Sequence, residues 1–123
     1  MISADKAETA VPVDLEHLRR FTLGDAALEQ EILGLFISHA PETLGVLQAA
    51  ANAVEWRAAA HGLKGSARAV GAQRVAELAA LAESGYPEDE GERQQQLATL
   101  GAAIETARDY IAQLHPAVLP RKA

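Results

Sequence analysis

Apolar residues in this chain recur every three or four positions, and that period restricts the fold class before any single residue is considered. Five segments carry such a stripe. They are Leu15, Leu18 and Phe21; then Leu28, Ile32, Leu35, Phe36 and His39, resuming through Leu44, Leu47 and Ala51; then Trp56 to Val70; then Val75, Leu78, Ala79 and Ala82; and finally Leu97, Leu100, Ile104, Ala107, Ile111 and Leu114. No stretch alternates apolar and polar residues for long enough to read as a strand. Helices with one apolar face each, joined by short connections, predict an all-α antiparallel four-helix bundle with a short additional N-terminal helix. The length suits one domain, placed at 13–115 between flexible tails at 1–12 and 116–123. Aromatic residues are only 4%, so Leu, Ile, Val and Ala must fill the core.

Capping and breaking residues set the expected boundaries. Asp14 can cap the first helix, and Gly24-Asp25 separates it from the second. Pro41 lacks a backbone donor, so a kink or short break is expected around Ala40, with His39 partly buried beside it. Asn52 and Glu55 have the spacing of a capping box at the start of the third helix, which Gly71 should end. Gly85 is expected to terminate the fourth helix in a left-handed conformation. The acidic run after Pro87 should lead into the last helix, which His115-Pro116 stops.

Charge and composition exclude several functions. A net charge of −6 disfavours binding to nucleic acid or an anionic membrane. No apolar run is long enough to span a bilayer, and MISADKAETAVPVD lacks the apolar region of a secretory signal. With no cysteine there is no disulfide or thiolate metal site, which suits the cytoplasm. His17, His39, His61 and His115 lie 22, 22 and 54 residues apart, without a pair at metal-ligand spacing. No glycine-rich loop follows a strand, so nucleotide binding is unsupported. The expectation is a cytoplasmic monomer with no metal or cofactor of its own.

One histidine stands apart. On a helical wheel for 56–72, Leu63, Val70, Trp56, Ala59, Ala60 and Ala67 fall opposite His61, whereas Arg57, Lys64, Gly65 and Arg68 fall within about 40–60° of it. His61 is therefore expected to face solvent among cations. From Trp56 to Ala76 the charge is +4 with no acid, so the rest of the chain carries −10. Cations close by disfavour the imidazolium and keep the ring in its nucleophilic neutral form. They would also stabilise an anion bound to the ring. A glycine inside a helix costs roughly 1 kcal/mol relative to alanine. Gly65, one turn beyond His61, therefore calls for something that must approach the ring closely. Ser66 points away and is expected to bond back to a carbonyl one turn earlier.

The run His61-Gly62-Leu63-Lys64-Gly65-Ser66, with Gly71-Ala72, Leu78 and Glu83 after it, resembles the signature of histidine-containing phosphotransfer (HPt) domains of bacterial two-component phosphorelays. The resemblance implies that His61 is the phosphoacceptor, that Lys64 neutralises phosphate oxygens and that Gly65 leaves space for the partner. Arg57, Gly62 and Arg68 would belong to the partner-binding surface, with apolar residues near Leu28 possible members of it. The implied partners are response-regulator receiver domains and a hybrid sensor histidine kinase, with Mg²⁺ supplied by the receiver. Gly62 departs from the pattern and should loosen the helix locally; the role of Glu83 stays open. A non-catalytic helical adaptor that binds the same partners without carrying phosphate is the alternative. A stand-alone carrier is expected over a fragment of a hybrid kinase.

Overall fold

The computed structural model describes residues 11–116, among which there are five helices and no strand. Helix α1 spans Leu15–Thr22, α2 Ala26–Ala49, α3 Ala53–Val70, α4 Gln73–Ser84 and α5 Glu90–Leu114. Helices α2 to α5 form an antiparallel four-helix bundle. Each packs against the next, α5 closes the ring on α2, and the two diagonal pairs stay apart. Helix α1 packs on α2 and α3. The expected tails fall at 1–10 and 117–123 outside the described residues.

The tightest pairing is between α3 and α4, and its cause is small side chains. Ala60 and Ala67 of α3 and Ala76, Ala79 and Ala82 of α4 are all buried, so the two backbones can approach closely. Trp56 fills the end of this pair. Its ring is buried and its Nε1 donates a 2.8 Å hydrogen bond to the Ala82 carbonyl, so the one polar atom of the indole is satisfied. Leu97, Leu100, Ile104, Ala107 and Ile111 complete the core from α5.

Caps start each helix of the bundle except α4. Asp14, Asp25, Asn52 and Asp89 accept from the backbone N–H three residues on, at 3.1, 3.0, 2.9 and 2.9 Å. Glu55 reaches back as expected, although it accepts from the N–H of Ala51 and not of Asn52. Ser66 Oγ donates to the Gly62 carbonyl, and α3 runs unbroken through both Gly62 and Gly65. The expected loosening at Gly62 does not interrupt the helix.

Several expectations fail for identifiable reasons. Phe21 is 68% exposed, and Thr22 takes the buried position at the end of α1. In α2 the buried face is Glu29, Leu33, Phe36, Ile37, Ala40 and Leu47; Leu28, Leu35 and His39 are exposed. This helix is apolar on more than one side, so spacing alone did not choose the correct phase. Ala51 lies beyond its end. Pro41 sits inside α2 without a break, on the exposed side, where its ring meets solvent and only the Ile37 carbonyl loses a helical donor. Gly85 has φ −177° and ψ 141°, an extended exit and not a left-handed one. Leu114 is exposed, and Leu78 and Ala59 are only half-buried.

A buried carboxylate ties α1, α2 and the end of α5 together. Glu29, with 5% of its side chain exposed, accepts from Arg19 Nε at 2.7 Å and Nη2 at 3.2 Å, and from His115 Nε2 at 2.7 Å. The Arg19 guanidinium first, and His115 after it, hold its carboxyl below the ordinary range against the opposing effect of burial. A carboxyl lowered on folding stabilises the fold fully above its ordinary value of 4.5, and this is lost as pH falls through the lowered folded value. Glu29→Gln should therefore reduce the unfolding free energy at neutral pH by about 1–3 kcal/mol. It should also flatten the stability curve below pH 4.5, measured by denaturant titration across pH.

Gly71 seats the N-terminal segment on the bundle. Its φ of 80° ends α3 in a Schellman arrangement, with Ala72 N–H donating to the Ala67 carbonyl and Gly71 N–H to Arg68. The Gly71 carbonyl accepts from Asp14 N–H at 2.8 Å, and a Cβ on Gly71 would stand 2.6 Å from the Asp14 oxygen. Gly65, by contrast, has nothing within 4 Å of a Cβ position. Gly71→Ala should destabilise by about 1–3 kcal/mol. Gly65→Ala should stabilise by up to about 1 kcal/mol. Thermal melts of the two variants should move in opposite directions.

Candidate functional site

The buried stripe of α3 leaves His61 nowhere to go but outward. Trp56, Ala60, Leu63, Ala67 and Val70 occupy the core side, and the imidazole on the opposite side is 70% exposed. Arg57 and Arg68 share this face, are exposed, and pair with no carboxylate among the described residues. The Arg68 carbonyl accepts a 3.1 Å hydrogen bond from His17 Nε2, so His17 serves to dock α1 on α3.

The ring is not surrounded by cations alone. Glu83, on α4, places Oε2 2.8 Å from His61 Nδ1 and pairs through Oε1 with Lys64 Nζ. Lys64 is largely covered, with 19% of its side chain exposed. Lys64 first, and His61 after it, hold the Glu83 carboxyl below the ordinary range. Glu83 is therefore an anion at neutral pH. A carboxylate ion only accepts, so Nδ1 of His61 carries a proton, and in the neutral ring the lone pair lies on Nε2. The expectation of a purely cationic surrounding is corrected on this point: an acidic side chain from α4 stands beside the ring.

The sequence pattern contained Glu83 but left its contact open, because 22 residues is not a spacing on one helix. The signal was present in another form. Positions 61 and 83 lie equally far from Ala72, one of the two residues between the antiparallel helices, and so come side by side in a helical hairpin. Glycine supplies the other half of the site. A Cβ at Gly62 or at Gly65 would meet nothing within 4 Å, so packing among the described residues requires neither glycine. An exposed, oriented nucleophile, a nearby ammonium group and an open approach suit phosphoryl transfer between proteins.

The model of the Hpt domain matches residues 31–117, most of the bundle and the whole of α3 and α4. The chain belongs to the Hpt domain family. Membership implies a phosphotransfer function in phosphorelays, with receiver domains and kinases as the class of partner. No curated protein matches the chain, and no solved structure does. Among the described residues no helix of this Hpt domain is long and apolar enough to cross a membrane.

Proposed function

We propose that this Hpt domain carries a phosphoryl group on His61, accepting it from the aspartyl phosphate of a receiver domain or from a sensor histidine kinase. It then passes the group to the aspartate of a response-regulator receiver. The observation that carries this reading is the exposed Nε2 of His61, opposite a carboxylate-bound Nδ1 and beside two glycines whose Cβ positions are open. In the reaction His61 is the nucleophile. Lys64, held against Glu83 one turn away, is within reach of phosphate oxygens on the ring and neutralises their charge. Gly62 and Gly65 admit the loops of the receiver. Arg57 and Arg68, which form no ion pair among the described residues, steer the acidic receiver pocket, an effect on association that salt weakens. The receiver brings the Mg²⁺ and the acyl phosphate.

The decisive experiment incubates the protein with a receiver carrying radiolabelled phosphate. Wild type should acquire an acid-labile label, and His61→Gln should acquire none while still binding the receiver. Receiver binding by wild type without any label would favour a non-catalytic adaptor.

Gly65→Gln tests the open approach separately. The variant should fold with an unchanged helical spectrum, since the position is unpacked, and should transfer about 10²-fold more slowly because the partner is held off the ring. An unchanged rate would show that Gly65 is not there to admit the partner.

A further inference from the structure

Away from His61, helices α4 and α5 leave a trough between them that nothing among the described residues fills. One half is a cavity of about 370 Å³ lined by Leu78, Leu81, Glu92, Gln95 and Gln96, and the other a cavity of about 410 Å³ lined by Arg74, Val75, Ala102, Ala103 and Thr106. Thr99 lines both, so the two halves are continuous. Leu81 is 57% exposed at the edge. By the helical period, Arg74, Leu78 and Leu81 point about 140–180° away from Glu83 around α4, so the trough and the His61 face lie on opposite flanks of this helix.

The two ends of the trough are opposite in charge and in bulk. Glu92 marks one end and forms no ion pair among the described residues; beside it Gln95 and Gln96 are long, and Gln96 Oε1 is buried without a hydrogen-bond partner. Arg74 marks the other end, with only an exposed 3.8 Å contact to Glu77, and Ala102 and Ala103 across from it are short. Thr99 lies midway, seven residues from Glu92 and seven from Thr106. A two-fold axis at Thr99 therefore brings each end onto its complement. Two α5 helices packed antiparallel there set Gln95 and Gln96 of one copy against Ala103 and Ala102 of the other, and Glu92 against Thr106, where Arg74 stands across the trough. A guanidinium carries five donors, enough for the Glu92 carboxylate and the unpartnered Gln96 oxygen together.

We propose that the α4–α5 trough is a self-association surface whose occupant is a second copy of this chain, packed antiparallel about Thr99 and held by two reciprocal Arg74–Glu92 pairs. A helix from another protein would have to supply both charges at the right separation, whereas a second copy carries them already matched. This departs from the monomer expected from the sequence. The His61 ring of each copy stays outside the contact, so the inference stands or falls independently of the carrier reading. The trough is about 21 Å long over residues 92–106, which places the contact at the weak end of protein interfaces, with Kd on the order of 10–500 µM. The net charge of −6 on each copy opposes association further.

Sedimentation equilibrium between about 10 µM and about 1 mM reads the association directly. Wild type should dimerise. Arg74→Glu and Glu92→Arg are substitutions at exposed positions, and circular dichroism checks that each variant is folded. Each alone should raise Kd about tenfold or more, because like charges then face one another twice in the dimer. An equimolar mixture of the two variants should recover a heterodimer of wild-type affinity, since the two reversals compensate at both ends of the contact. A wild type that stays monomeric across this range would overturn the proposal. Single variants that dimerise like wild type, or a mixture that stays monomeric, would overturn it equally. If the chain remains monomeric while an added receiver domain shifts the amide resonances of α4 and α5 and not those of α3, the trough belongs to another protein and the second copy is excluded.

Discussion

Burial of one face of α3 is the constraint from which the rest of the molecule follows. Trp56, Ala60, Leu63, Ala67 and Val70 are almost wholly removed from water, and together they leave the helix a single rotational setting against α2 and α4. Turning it by one residue would expose about three large apolar groups, each worth roughly 1.5–3 kcal/mol when buried. That same setting sends His61 outward. The exposure of the imidazole is thus a by-product of core packing.

Two glutamates illustrate how placement divides one chemistry into two uses. Glu29 is buried, bound by Arg19 and His115, and joins three chain segments; its oxygens accept three hydrogen bonds. Glu83 is also bound by a cation and a histidine, but its histidine is open to solvent on the far side. In the first case both ring nitrogens of the imidazole have a partner, Glu29 on one side and Gln30 on the other. In the second only one ring nitrogen has a partner among the described residues.

The sequence made the helices legible because capping residues and helical periodicity agreed along most of the chain. Asp14, Asp25, Asn52 and Gly71 mark ends that the structure keeps. The phase of α2 was not legible, since Leu28 and Leu35 lie beside Leu33, Phe36 and Ile37, and only the neighbours decide which are covered. Pro41 was misread because a proline on the exposed side of a long, well-anchored helix removes one donor without displacing the turns around it. At the site, His61, Lys64 and Gly65 follow from one helix and were readable from it. The bond from Glu83 was not, because it depends on the register between two helices, which is set by the alanines and the glycine turn between them.

That register is also held by a buried hydrogen bond. The indole of Trp56 leaves α3, crosses to α4 and bonds the carbonyl of Ala82, the residue immediately before Glu83. The carboxylate and the imidazole are thus held in step by a side chain belonging to the core of the same helix that carries His61. Trp56 is also the only tryptophan in the chain. Its fluorescence is therefore an optical gauge of whether the two halves of the site are in alignment, readable with no label attached.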